Sequence, residues 1–200
     1  MNMNMKIKAA AALLALSAAG SALAASDPVY GSPGTLNSAT YTFEAVATGD
    51  VYAYFLSESA AYTEKLGMAA ANSTTPIGAV GLNNQTSARG AVLDLGHVTA
   101  GEIVTFFINV TNTGLTFSSQ VSENADGTQH VYSTAFAGSG AIPAGTFISF
   151  EDLATKVSDH DYNDTAFVVT GVIAVPEPGN VALLLAGLGL LGFMARRRRG

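Results

Sequence analysis

The sequence predicts an all-β domain, an antiparallel β-sandwich with jelly-roll-like connections. Short β-branched and aromatic runs recur along residues 38–175, and Gly, Asn or Asp residues separate them, as is typical of strands joined by turns. No long segment places its apolar residues with the 3.6-residue period of a helix. The chain contains no cysteine, so a hydrophobic core or a bound metal has to stabilise the domain.

The predicted strands follow one another at short spacing. The runs at 38–47 and 51–56 are separated by Gly49-Asp50, a turn signal. Residues 62–71 fit either a strand or a helical turn. The remaining predicted strands are 77–82, 90–95, 102–110, 115–121, 129–136, 146–150 and 165–175.

Alternation along these strands identifies candidate core residues. Phe106, Ile108 and Val110 share one face of their strand, because successive side chains of a strand point to opposite sides. The later strands add the core candidates Phe147, Phe167 and Val169.

The N-terminus carries an export signal ahead of the domain. Lys6 and Lys8 precede an apolar run, and the Ala-Leu-Ala at 22–24 matches a small-residue cleavage site. Residues 1–24 are therefore predicted to be a secretory signal peptide removed by signal peptidase; the alternative is a buried N-terminal helix. Residues 25–37 are rich in Pro and Gly and are predicted to form a flexible linker to the β-sandwich domain at 38–175.

The C-terminal residues have three parts in a fixed order. Pro-Glu-Pro at 176–178 precedes an apolar segment at 181–195, and four arginines follow at 196–199. The segment is short for a bilayer span, which needs about 20 apolar residues, and the arginines would keep its end in the cytoplasm. An ordinary C-terminal membrane anchor is one interpretation.

The same order resembles the PEP-CTERM sorting signal of Gram-negative bacteria, here residues 176–200. The resemblance implies cleavage by an exosortase-type protease and transient anchoring in the inner membrane through 181–195. It also implies delivery to the cell surface or the extracellular matrix.

The domain is strongly acidic once both ends are removed. Residues 25–175 hold three basic residues, Lys65, Arg89 and Lys156, against fourteen acidic ones, so their formal charge is −11, compared with −6 for the whole chain. Such a charge repels nucleic acid and anionic membranes and attracts cations. We therefore expect no nucleic-acid partner.

Acidic side chains are concentrated in residues 150–167. Five fall there, and Lys156 is the only nearby base. Like charges this close repel one another unless a cation lies among them, and a hard cation that takes oxygen ligands, such as Ca²⁺, would resolve the repulsion. The sequence therefore predicts a Ca²⁺ site with these ligands: Glu151, Asp152, Asp159, Asp161, Asn163 and Asp164.

The spacing of these ligands fits a loop between two strands. In an extended backbone Asp159, Asp161 and Asn163 point to one side, and the residues between them point to the other. The run is not an EF-hand loop, which needs Gly at its sixth position and Glu at its twelfth, where this chain has Asp and Thr. The acids at 151–152 are expected to end one strand, and the loop to lead into the next. The alternative is a solvated loop whose Asp and Asn residues form turns.

Several motifs of the domain resemble a family of exported PEP-CTERM proteins. They include G-D-V-Y-A-Y-F at 49–55, H-V-Y-S at 130–133, F-E-D-L at 150–153 and D-Y-N-D at 161–164. The last two are similar to an uncharacterised domain of bacterial surface adhesins. The resemblance implies a secreted β-rich domain with calcium as a suspected ligand and no known catalytic activity. Here His160 separates the first two aspartates, and we expect it to point away from the ion because Ca²⁺ prefers oxygen.

Catalytic chemistry has little support in the sequence. Three scattered histidines without cysteine argue against zinc, no G-x-S-x-G or phosphate-binding motif is present, and crowded acids suit a cation better than the separated pKa values of a glycosidase pair. We predict a non-enzymatic exported surface or extracellular-matrix protein, associated with biofilm or exopolysaccharide. The alternative is a Ca²⁺-dependent carbohydrate-binding or adhesin module for surface glycans. If exposed, Tyr41, Tyr52, Tyr54 and Tyr62 would form an aromatic platform for sugars or partners; the alternative for these tyrosines is strand packing with their hydroxyls at the rim.

Overall fold

The structure, a computed structural model, describes residues 26–73, 75–176 and 188, and these contain ten strands and one short 3-10 helix at Val121–Glu123. The strands are β1 (Tyr41–Ala45), β2 (Gly49–Glu58), β3 (Glu64–Ala70), β4 (Val92–Val98), β5 (Ile103–Val110), β6 (Leu115–Ser118), β7 (Val131–Phe136), β8 (Gly145–Phe150), β9 (Thr165–Thr170) and β10 (Val172–Pro176).

The strands form two five-stranded sheets in which all neighbours are antiparallel. Sheet 1 has the order β10-β1-β5-β3, and β6 also pairs with β5. Sheet 2 has the order β4-β2-β9-β8-β7. The prediction of an all-β, antiparallel fold is confirmed, and the ambiguous segment at 62–71 contains a strand.

One hydrophobic core lies between the two sheets. It takes Phe43 and Phe106 from sheet 1 and Phe55 and Phe167 from sheet 2, all of them almost fully buried. The rings of Phe43 and Phe106 meet edge to face at 5.2 Å, an arrangement that aromatic pairs prefer. Five of the six predicted core residues belong to this cluster: Phe106, Ile108, Val110, Phe167 and Val169.

A second, smaller cluster covers the outer face of sheet 2. Phe147, the sixth predicted core residue, lies here with Val168 and Ile142. The ring of Tyr132 lies 6.0 Å from that of Phe147, and Tyr30 in turn packs on Tyr132 at 5.3 Å. The strands β8 and β9 of sheet 2 are therefore covered on both faces, and all but one residue of each strand are buried.

The predicted strand at 165–175 is wrong in one respect, because it is two strands in different sheets. The chain leaves sheet 2 at the end of β9 and enters sheet 1 with β10. Gly171 lies between them with a φ of 84°, which glycine adopts without steric cost. The predicted strand at 77–82 is also wrong: this segment makes only isolated bridges, at Pro76 and Gly81.

The N-terminal residues 26–37 form no helix or strand but contact the domain. Asp27 receives two hydrogen bonds from the Arg89 guanidinium, at 2.7 and 2.8 Å. The Asn37 side chain donates to the Val131 carbonyl at 2.9 Å. The predicted signal peptide at 1–24 and, apart from Leu188, the predicted membrane segment at 181–195 lie outside the described residues. In the part of the chain that is described, no helix is long and apolar enough to cross a membrane.

Candidate metal centre

The acidic residues lie in the loop that joins β8 to β9. The two strands pair at Phe150 and Thr165, and β7 begins opposite Phe150 at Val131. Glu151 and Asp152 follow β8 directly, so the predicted strand-loop-strand arrangement is present.

Three of the predicted ligands come together in this loop. Glu151, Asp159 and Asp161 each offer a carboxylate oxygen, and these atoms lie within 4.8 Å of one another. Glu151 is buried, Asp161 is half-buried and Asp159 is exposed, so the group opens to solvent on one side. Among the described residues, none of the three forms an ion pair with a basic side chain.

The backbone of this loop is not extended, so strand-like alternation does not explain how Asp159 and Asp161 come together. His160 and Tyr162 both have a φ of 54°, the left-handed region, which non-glycine residues adopt rarely. The Tyr162 side chain is buried, and its hydroxyl donates to the Gln129 carbonyl at 3.0 Å and accepts from the Asn37 amide at 2.9 Å. These contacts fix the turn that brings Asp159 and Asp161 together.

Glu151 is the anchor of the cluster. Its Oε1 accepts a hydrogen bond from the Tyr162 amide at 2.5 Å, and its Oε2 accepts one from the Ser158 hydroxyl. Ser158 also accepts from the His160 amide at 3.0 Å, and the His160 ring lies against the same hydroxyl at 3.1 Å. Each carboxylate oxygen has further lone pairs available for an ion. The His160 ring contacts the Ser158 hydroxyl, and the expectation that it does not coordinate an ion remains a prediction.

Asn163 supports Asp161. Its backbone amide donates to Asp161 Oδ1 at 3.2 Å, and its side-chain amide donates to Oδ2 at 2.5 Å. The pKa of Asp161 is nevertheless raised, first by burial and then by the charges of Asp159 and Glu151. A raised pKa indicates that this group lacks positive charge.

A second loop, unrecognised from the sequence, holds the acidic loop in place. His130 is buried and stacks on Phe117 with ring centroids 4.1 Å apart. Its Nε2 contacts the Asp126 carboxylate at 3.1 Å, and its Nδ1 contacts the Glu151 carbonyl at 3.2 Å. Asp126 also accepts from the Thr155 amide at 3.0 Å. Burial opposes ionisation of Asp126, but these hydrogen bonds lower its pKa below the usual range.

The two other predicted ligands turn towards a different acid. Asp164 Oδ2 accepts a hydrogen bond from the Asp152 amide at 2.8 Å, and both residues act electrostatically on Glu64 of β3. Glu64 is fully buried, and its Oε2 accepts from the Asn84 side chain at 2.8 Å. That all six predicted residues surround one ion remains a prediction.

Glu64 was missed from the sequence because it lies in a distant strand. The signal that reveals it is alternation: Glu64 shares the inward face of β3 with Leu66 and Met68, where a charged residue is unexpected. Burial, followed by interactions with Asp152, raises the pKa of Glu64 to about 10. Burial also raises the pKa of Asp164 to about 8.

Two family models match this chain. Residues 97–172 match a domain of unknown function (DUF4114), and residues 174–199 match the PEP-CTERM protein-sorting motif. The first match contains the whole acidic loop, and the second begins inside β10. No curated protein and no solved structure matches the chain. The sorting motif indicates an exported protein processed by an exosortase, whereas the resemblance to surface adhesins stays a prediction.

Proposed function

We propose that this protein is a non-enzymatic exported surface or matrix protein whose β-domain is stabilised by Ca²⁺ bound between Glu151, Asp159 and Asp161. The sorting-motif match supports export and association with the cell surface. The convergence of three carboxylates from one loop is the observation that supports the ion. Signal peptidase and surface glycans remain proposed partners.

The carboxylates are close enough together to bind Ca²⁺, and the openness of the loop favours Ca²⁺ over smaller cations. Ca²⁺ binds oxygen at about 2.3–2.6 Å, so two ligands on opposite sides of the ion are about 4.6–5.2 Å apart. The oxygens of Glu151, Asp159 and Asp161 lie within 4.8 Å of one another, which fits that limit. Mg²⁺ binds at about 2.0–2.1 Å and demands near-octahedral geometry, which an open loop supplies less readily.

Bound Ca²⁺ would stabilise the loop that connects the two central strands of sheet 2. Burial raises the pKa of Asp161 most, and the charges of Asp159 and Glu151 raise it further; the ion would offset this mutual repulsion. It would also tie the exposed Asp159 to Glu151, which is anchored to His130 through backbone hydrogen bonds. An ion that binds only the folded form raises stability by mass action.

Calorimetric titration and thermal unfolding test this proposal. Ca²⁺ should bind with a dissociation constant of about 10⁻⁴–10⁻³ M, the range of extracellular modules, and should raise the melting temperature more than Mg²⁺ does. The variant Asp161→Asn should weaken both effects. Glu44→Gln removes one negative charge from the outward face of β1 and serves as the matched control. No heat and no shift in melting temperature with the wild-type protein would reject the ion.

A cleft beside the same loop favours a second candidate, a Ca²⁺-dependent carbohydrate-binding module. The cleft has a volume of about 400 Å³, and its lining includes Tyr30, Asp161 and Asn163. Clefts of this size suit small ligands, and an aromatic ring beside a metal ligand offers a sugar both an apolar face and an oxygen-binding ion. The four tyrosines predicted as a platform do not gather here, since none of them lines this cleft.

A glycan array separates the two candidates. Binding that requires Ca²⁺ and is lost in Tyr30→Ala would support the carbohydrate module. An array without signal, measured on protein whose melting temperature rises with Ca²⁺, would favour the structural role.

A further inference from the structure

We propose a second cation site inside the sandwich, with Glu64, Asp152 and Thr165 as its oxygen ligands and a hard divalent ion such as Ca²⁺ as its occupant. This inner site shares no ligand with the group formed by Glu151, Asp159 and Asp161, and it does not depend on that group binding an ion.

Three buried oxygen atoms without a partner carry this proposal. Glu64 Oε1, Asp152 Oδ2 and Thr165 Oγ1 are inaccessible to solvent, and none of them has a hydrogen-bond partner in the described structure. The three residues are 0%, 2% and 0% exposed. Leaving a buried polar group unpaired is unfavourable, and native proteins contain few such groups.

The three side chains lie at the same end of the two sheets. Glu64 shares the inward face of β3 in sheet 1 with Leu66, and Thr165 shares the inward face of β9 in sheet 2 with Phe167. Thr165 pairs with Phe150, two residues before Asp152, and the Asp152 carboxylate is close enough to that of Glu64 for one proton to bridge them. An ion held there would link the two sheets at this end of the core.

The charges around the inner site are all negative. Asp152, Asp164 and Glu58 act on Glu64, and no basic side chain is among the groups that do. Lys65, the neighbour of Glu64, is exposed on the opposite face of β3. Two buried carboxylates in contact need either a shared proton or a cation between them.

A cation accounts for all three unpaired oxygen atoms, whereas a shared proton accounts for only two of them. A proton between Glu64 and Asp152 would satisfy those two groups and leave the Thr165 hydroxyl unpaired. A hard cation takes carboxylate and neutral oxygens together, so one ion would satisfy all three atoms. The other carboxylate oxygen of Glu64, Oε2, already accepts a hydrogen bond from the Asn84 side chain.

Counting bound Ca²⁺ by equilibrium dialysis tests the inner site. The experiment uses the full chain in a non-ionic detergent at neutral pH, with the metal alone as probe. Asp159→Asn combined with Asp161→Asn disables the outer group. This double variant should retain one bound ion, and adding Glu64→Gln should remove it. The single variant Glu64→Gln should lose one ion and keep the outer one.

Two outcomes would overturn the inner site. One is a folded double variant that binds no Ca²⁺; the other is an ion that the double variant still binds after Glu64→Gln has been added to it. If Glu64→Gln fails to fold by circular dichroism, Thr165→Val replaces the hydroxyl at nearly constant volume, and it should weaken or abolish the same ion. Unchanged affinity in folded Thr165→Val would then refute the assignment. If the wild type binds a single ion that the double variant keeps and Glu64→Gln removes, the outer site is refuted and the inner site is supported.

Discussion

Replacing Glu64 by Gln tests the electrostatics of the buried acids. Gln has the shape and hydrogen-bonding pattern of a protonated Glu: its oxygen can accept from the Asn84 side chain, and its amide can donate to Asp152. Without a divalent cation, the folded protein keeps Glu64 protonated, because burial raises its pKa to about 10. The substitution therefore removes the titratable carboxyl group and retains the hydrogen bonds to Asn84 and Asp152.

The expected magnitude follows from the pKa of Glu64 in the two states. Between its ordinary value of 4.5 and the folded value of about 10, the folded form holds one more proton than the unfolded form. The free energy of unfolding then falls by about 1.4 kcal/mol for each pH unit. Stability contributed by this proton is fully present below pH 4.5 and is lost as the pH rises. At pH 7 the loss is about 3–4 kcal/mol.

Urea unfolding followed by circular dichroism measures this difference. Residues 26–176 are unfolded in the presence of a chelator at several pH values between 5 and 8. Glu64→Gln should match the wild type near pH 5 and exceed its unfolding free energy increasingly as the pH rises. Glu44→Gln should keep the wild-type slope. A constant difference at every pH would show that Glu64 does not titrate as inferred. Added Ca²⁺ should stabilise the wild type at pH 7 more than the variant, if the inner site binds the ion.

Three further predictions concern the fold around the site. Tyr162→Phe removes two buried hydrogen bonds and should lower the unfolding free energy by about 1–3 kcal/mol. The Ca²⁺ affinity measured by calorimetry should fall too. An unchanged affinity would show that the turn held by Tyr162 is not needed for ion binding. Gly67→Ala places a methyl group 2.3 Å from the Phe107 ring and should cost about 1–3 kcal/mol, whereas Gly49→Ala meets open space and should be near neutral in the same urea assay. Truncation after Gly171 removes β10 and exposes the edge of β1, so this shortened chain should melt well below one that ends at Pro176; equal melting temperatures would show that β10 adds nothing to the domain.

The sequence was sufficient to locate most of the strands, but it was insufficient to predict which strands pair with one another. Turn residues and β-branched runs located seven of the ten strands closely, because these signals are local. They left β3 open between a strand and a helical turn, and they wrongly predicted a strand at 77–82. They also merged β9 and β10 into one strand at 165–175, whose division depends on the left-handed Gly171 and on which sheet each half joins. A sequence pattern carries no information about that choice.

The site shows the same division between local and distant information. Glu151, Asp159 and Asp161 are close in sequence, so the local density of acidic residues was enough to predict them as ligands. The structure places their carboxylate oxygens together. The backbone conformation that brings these oxygens together was not predictable from strand alternation, because two residues of the loop are left-handed and the backbone is not extended. Glu64 comes from β3 and meets Asp152 only when the two sheets close, so no local motif could include it.

The position of the acids gives the proposed ions a part in closing the sandwich. Thr165 and Asp152 lie at the end of sheet 2, and Glu64 lies at the facing end of sheet 1, so repulsion there opposes the packing of the sheets. A bound ion reverses that effect and adds about 1.4 kcal/mol for each site when its concentration is ten times the dissociation constant. Weak sites of the extracellular kind, about 10⁻⁴–10⁻³ M, stabilise the domain only where Ca²⁺ is abundant. With no disulfide to compensate, the stability of this domain would then be set by the medium into which its sorting signal delivers it.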